Sequence, residues 1–158
     1  MNEKRTVCFT GHRYIEATER ARLKTVLEQE VERQILCGAE VFRAGGALGF
    51  DTMAALAVLK LRKKYPHVRL ELILPCPTQT LNWHHADVEL YHKIRIHADA
   101  YRYVSDSYYH GLLQLRNHQL VDGSHVCIAY LRSSHGGGTA YTCALALRSG
   151  LEFVNLME

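Results

Sequence analysis

Six short apolar runs, each separated from the next by a segment of helical periodicity, restrict this chain to very few architectures. TVCFTG (6–11) is β-branched and aromatic and ends in glycine, as strands do. Residues 17–37 place Leu23, Val26, Leu27, Val31 and Ile35 at helical spacing, with Gly38 as the stop. AEVFRAGG (39–46) reads as a second strand. TMAALAVLKLRKKY (52–65) reads as a second helix, with Pro66 beyond its end. VRLELILPC (68–76), AYRYVS (100–105), SHVCIAYL (124–131) and LEFVNL (151–156) supply four more strands. TLNWHHADVELYHKIRIHA (80–98), a stretch around 111–121 and the segment after GGGT (136–139), stopped by Gly150, supply three more helices. This alternation implies right-handed crossovers, which cover both faces of a parallel sheet with helices. The expected fold is α/β: a Rossmann-like, doubly wound, mostly parallel sheet of about six strands with helices on both faces. Residues 1–158 suffice for one such domain and contain no linker, repeat or low-complexity segment.

Composition excludes several classes of function. Apolar residues make up 47% of the chain and charged residues 22%, as in a water-soluble globular domain. A net charge of +3, with acids and bases interleaved, is too mild for nucleic acid to be expected as the main partner. No apolar stretch approaches the roughly 20 residues that span a membrane. The start, MNEKRTVCFTG, has no long apolar region or cleavage site, so no secretory signal is expected. The five cysteines (8, 37, 76, 127 and 143) are odd in number and widely spaced. They suggest neither a disulfide framework nor a cysteine zinc site. Cys8 and Cys127 read as small core residues, and a reduced cytoplasm is the expected compartment.

In a doubly wound fold, ligands bind at the carboxyl ends of the strands. Two of the loops there are glycine-rich and open a helix. Such a helix N-terminus offers unpaired N–H groups and partial positive charge to an anion. Neither loop is a P-loop or a G-x-G-x-x-G fingerprint. In GGGT, Gly137, Gly138 and Thr139 form the cleaner phosphate cradle, with no acid nearby. In RAGGALGFDT (43–52), Gly45, Gly46 and Gly49 are joined by Asp51. We expect Gly45 and Gly46 to give a ligand close access and Gly49 to allow helix packing. Asp51 would repel a close phosphate, which leaves two roles open: capping its own helix, or accepting hydrogen bonds from ribose hydroxyls. Asp51 is also the one catalytic candidate.

Other side chains could join this site. Thr10, Gly11 and Arg13 follow the first strand, where the arginine fork suits a phosphate or carboxylate. Arg116 and Asn117 either reach the ligand edge or tie their helix to a neighbouring loop. Trp83 either stacks on a base or packs inside. His85, Glu89 and His92 share one helical face, but H-E-x-x-H is absent, so no metal site is assigned and no cofactor is required.

The residues TGHR (10–13), GGALGFD (45–51), Trp83, YHKIRIHAD (91–99), RNHQLVD (116–122) and GGTAYT (137–142) together resemble the SLOG superfamily, and within it the YpsA-like proteins. The resemblance runs from the first strand to the last helix. It implies a Rossmann-like sheet that binds a nucleotide or nucleotide-derived ligand, ADP-ribose-like or similar. The glycines of both loops, Asp51, Thr139, Thr10, Gly11 and Arg13 would line that site. The implied role is that of a sensor or accessory factor in a bacterial cytoplasm, with a homo-oligomer left open. An alternative is nucleotide N-glycoside hydrolysis, as in the LOG-type relatives. Their PGGxGTxxxE loop carries a central glutamate, whereas here no acid follows Thr139 until Glu152. That absence disfavours hydrolysis. DprA-type relatives bind single-stranded DNA, but no clustered basic face is legible here.

Overall fold

The structure is a computed structural model, and it describes residues 4–132 and 137–157. Strands β1 (Arg5–Gly11), β2 (Ala39–Ala44), β3 (Arg69–Leu74), β4 (Ala100–Tyr103), β5 (Val126–Tyr130) and β6 (Glu152–Asn155) alternate with five helices. These are α1 (Ala17–Leu36), α2 (Phe50–Arg62), α3 (His85–His97), α4 (Leu112–Val121) and α5 (Gly138–Arg148). The strands form one sheet in the order β4-β3-β2-β1-β5-β6. All neighbours run parallel, so the sheet is fully rather than mostly parallel. From β1 the chain winds outward to β4, then returns to β5 on the other side of β1. Right-handed crossovers therefore put α1, α2 and α3 on one face and α4 and α5 on the other. Strand order reverses between β1 and β5, which opens a crevice at their carboxyl ends.

The period-2 pleat divides the core between the two faces. Val7 and Phe9 of β1 join the larger cluster beneath α1 and α2. The intervening Cys8 joins Cys127, Leu120, Val121 and Ala146 on the face of α4 and α5. Cys8 and Cys127 stand directly opposite in the register of β1 and β5, both fully buried, whereas Cys37 is exposed. Aromatic rings fill the larger layer. Phe9 stacks on Phe42 at 6.0 Å between centroids, and Phe50 stacks on Tyr130 at 6.0 Å. Every residue of β5 is buried, as expected of a central parallel strand.

The third helix starts later than its sequence pattern suggests. Residues 78–83 form successive turns instead, with Leu81 N–H donating to Thr78 O (3.1 Å) and Trp83 N–H to Thr80 O (3.0 Å). Pro75 and Pro77 hold the preceding segment away from helical geometry, and α3 begins at His85. Phe42 has no exposed surface and packs on Phe9. Phe42→Ala should cost about 3–5 kcal/mol in urea unfolding through the cavity it leaves.

Candidate functional site

A cavity of about 410 Å³ lies at the β1/β5 crevice. Thr10, Gly11 and Arg13 wall one side, Gly138 and Thr139 of α5 another, and Asp51 of α2 sits at its base. The remaining wall is one face of α4: Leu113, Arg116, Asn117 and Leu120, at i, i+3, i+4 and i+7. The structure therefore brings together eight sequence candidates. Leu113 and Leu120 escaped the reading because single leucines in a helix are indistinguishable from core residues. Their helical spacing with Arg116 and Asn117 was the available signal.

Asp51 and Arg116 are the two buried charged residues of this wall, at 6% and 5% exposure. They reach the cavity from opposite faces of the sheet. Arg116 Nη1 donates to the Gly45 carbonyl and its Nε to Asn117 Oδ1 at 2.9 Å. Asp51 Oδ2 accepts from the Ala47 N–H at 3.2 Å. Asp51 is thus not a cap of its own helix. Gly49 holds the N-cap position, and the carboxylate reaches back to organise the loop before it. Burial pushes the Asp51 carboxyl above its ordinary value, opposed by Arg116, the Ala47 N–H, Arg13 and Gly45. Burial likewise lowers the proton affinity of Arg116, with Asp51 opposing.

The glycines of the 45–51 loop are explained by the protein's own packing. A Cβ on Gly45 would stand 2.7 Å from Arg116 Nη1. One on Gly46 would meet the Leu74 side chain at 2.5 Å. One on Gly49 would strike the Arg13 carbonyl oxygen at 2.1 Å, at a backbone φ of +79°. Gly45 and Gly46, expected to give a ligand close access, do not line this cavity, and both clear room for neighbouring side chains. Gly49 admits the backbone of the 10–13 loop rather than a helix. That junction is stitched by the Phe50 N–H donating to His12 O at 3.1 Å. Gly11, by contrast, both lines the cavity and abuts the Phe50 ring, 2.4 Å from where its Cβ would be.

Trp83 does not line the cavity. It packs edge-on against Tyr91, with ring centroids 5.6 Å apart, at the margin of the larger core. His85 and Glu89 pair with each other at 2.9 Å, while His92 Nδ1 meets Arg95 Nη2 at 3.3 Å. Among the described residues, no group of three histidine, cysteine or acidic side chains is placed to hold a metal. At the α5 end, Gly137 has a φ of +119° and serves as N-cap without lining the cavity, while Gly138 opens the helix. Gly136, the first glycine of GGGT, lies outside the described residues. His12 Nε2 accepts the Arg132 N–H at 2.8 Å, which joins the first loop to the end of β5.

The resulting chemistry is that of an anion site with one acid. Two arginines and a helix N-terminus face the cavity, and Asp51 is the one carboxylate among its described lining residues.

Two outcomes follow from this geometry. Gly38 also has positive φ, +101°, but no atom lies within 4 Å of its Cβ position. Gly38→Ala should therefore cost about 1–2 kcal/mol. Gly49→Ala adds a backbone clash and should cost about 2–5 kcal/mol, both read by urea unfolding. Asp51 binds its proton more tightly when folded than when unfolded, so its contribution to stability declines as pH rises above its ordinary 3.8. Asn cannot titrate. The stability of the wild type relative to Asp51→Asn should fall with rising pH, then level once the buried carboxyl has ionised. A difference that grew with pH would mean that the arginines outweigh burial.

Comparison with known proteins finds relatives of this chain by sequence and by fold. The YpsA family model, described as the YspA SLOG family, matches residues 7–151. A UPF0398 protein of Halalkalibacterium halodurans is 31% identical over 126 residues, covering 78% of this chain and 67% of the relative. A UPF0398 protein of Brevibacillus brevis is 34% identical over 95 residues, covering 60% of this chain and 50% of that protein. The chain thus spans about half to two thirds of the length of these relatives. Among solved structures, DNA processing protein A from Helicobacter pylori, described by its single-stranded DNA binding mode, superposes with a TM-score of 0.64 at 18% identity. The match covers 94% of this chain and 63% of that one. The Moco carrier protein from Chlamydomonas reinhardtii superposes with a TM-score of 0.53 at 18% identity, covering 96% of this chain and 75% of that one. At this identity the two structures share the fold.

Proposed function

The chain belongs to the YpsA SLOG family, and on that premise we propose that it binds a nucleotide-derived, ADP-ribose-like ligand as a sensor or accessory factor. The observation that carries this reading is the convergence of Arg13, Arg116, the α5 N-terminus and Asp51 on one cavity at the strand-order reversal. Phosphate oxygens are to be held by the N–H groups at Gly138 and Thr139 and by Arg13. Ribose hydroxyls are to donate to Asp51, whose carboxylate suits a sugar better than a phosphate. Leu113 offers apolar surface of the kind a base requires. The cavity volume, about 410 Å³, is that of a small-molecule site.

The experiment is a thermal-shift panel of ADP-ribose, NAD, AMP and a thymidine oligonucleotide, followed by titration of the hits. ADP-ribose or a close relative should raise the melting temperature, because saturating ligand stabilises the native state. Arg13 is exposed, so Arg13→Ala should leave the unliganded protein unchanged. It should weaken binding about ten- to a hundredfold, the loss of a charge-assisted contact. Stabilisation by the oligonucleotide alone would favour a single-stranded DNA role like that described for DNA processing protein A. Release of free base that disappears in Asp51→Asn would favour hydrolysis.

A further inference from the structure

A second cavity of about 410 Å³ lies on the other side of the molecule's chemistry, in the groove between α2 and α3. Only Tyr91 and Ile94 of α3 are buried, and the groove between the two helices remains open. Its floor is apolar: Leu56 and Leu59 from α2, Leu90 and Ile94 from α3. Leu56 is 42% exposed, although it lies on a helix whose other leucines and alanines are largely covered. The rim is uniformly basic, formed by Lys60, Arg62, Lys63, Lys93 and His97, and no acid lines the groove.

The basic side chains are set in register with the floor. On the α2 wall, Leu56 and Leu59 are each followed four residues later by a lysine, Lys60 within the helix and Lys63 at its C-cap. On α3, Lys93 follows Leu90 by three residues, and His97 follows Ile94 by three. Each wall therefore shows an apolar side chain with a lysine one helical turn beyond it. Three of the five are already engaged: Lys60 Nζ pairs with Glu28 Oε1 at 2.9 Å, Arg62 with Asp99 Oδ2 at 2.7 Å, and His97 Nδ1 contacts the Lys93 carbonyl at 2.8 Å. Lys63 and Lys93 form no ion pair among the described residues, and both are exposed.

We infer that this groove docks an amphipathic helix of a partner protein, its apolar stripe on Leu56, Leu59, Leu90 and Ile94 and its flanking carboxylates against Lys63 and Lys93. The lining residues run from Leu56 to Lys63 on one wall and from Leu90 to His97 on the other, about 11 Å each, which fits two turns of a docked helix. Charge selects the partner. An apolar occupant alone would leave the lysines unmatched, and a basic one would be repelled. A second copy of this chain is a poor fit by the same criterion. The four glutamates of α1, Glu19, Glu28, Glu30 and Glu32, are each already paired with a basic side chain of the chain itself, and α4 and α5 contain no acidic residue. The inference is independent of the cavity at β1 and β5, whose lining residues it does not share.

The test uses the full chain and two designed helical peptides. Both carry leucines at i, i+3, i+4 and i+7. One is flanked by glutamates and the other by lysines. Fluorescence anisotropy should show the glutamate peptide binding at least about tenfold more tightly than the lysine peptide. In the double variant Lys63→Glu and Lys93→Glu that preference should invert, while the melting temperature stays near that of the wild type. Leu56→Asp should abolish binding of both peptides. Equal binding of the two peptides, or a preference unchanged in the double variant, would overturn the proposal. So would concentration-dependent dimerisation of the protein abolished by the same two substitutions, or competition in which decanoate occupies the groove and the glutamate peptide does not.

Discussion

The contact on which the functional end of this molecule depends is a single guanidinium reaching through the sheet's edge. Arg116 leaves a helix on one face and donates to the carbonyl of Gly45 at the end of a strand whose following helix lies on the other face. A buried cation is tolerable only where acceptors and an opposing charge surround it. Gly45 O, Asn117 Oδ1 and the nearby Asp51 supply these. The requirement runs both ways, because Asp51 would be a still costlier buried charge without Arg116. The loop between them, held by the Ala47 N–H on Asp51, is thereby fixed in a shape that glycine makes possible. The cavity is a consequence of these mutual obligations as much as of the sheet's reversal.

This view alters what the glycine-rich stretch means. A run such as GGALGFD invites the reading that a ligand must approach the backbone. Here the atoms that approach Gly45, Gly46 and Gly49 are Arg116, Leu74 and Arg13. The glycines shape the cavity by letting its own parts close in, and the cavity's lining comes from neighbouring elements. The same substitutions would disrupt the pocket under either reading, but through stability and loop geometry rather than through a lost ligand contact.

The fold was legible because its signals are repeated. Each of the six strands and five helices announces itself by local periodicity, and alternation alone dictates parallel pairing. Much of the site was legible for the same reason: strand ends and helix starts in such a fold have known positions. Arg13, Asp51, Arg116, Asn117 and Thr139 do converge. Sequence could not say which way a side chain faces across the sheet. Trp83 sits near the candidate loops in sequence, yet the turns at 78–83 deliver it to Tyr91. Asp51 could be placed at a helix start but not given its partner, since the Ala47 N–H reaches it only after the loop has folded back. The basic groove between α2 and α3 was invisible because its walls are far apart in the chain and ordinary when taken singly.

The paired thiols of the two central strands have a consequence of a different kind. Cys8 and Cys127 face each other across β1 and β5, sealed beneath α4 and α5, while Cys37 stands in solvent after α1. A thiol reagent therefore meets a chain whose cysteines differ in access by design of the fold. Cys37 reports on the surface at once. The central pair reports only when helices lift from the sheet or the sheet itself parts. The rate at which those two sulfurs become reactive is a built-in clock for opening of the sheet's middle, beneath the cavity at β1 and β5.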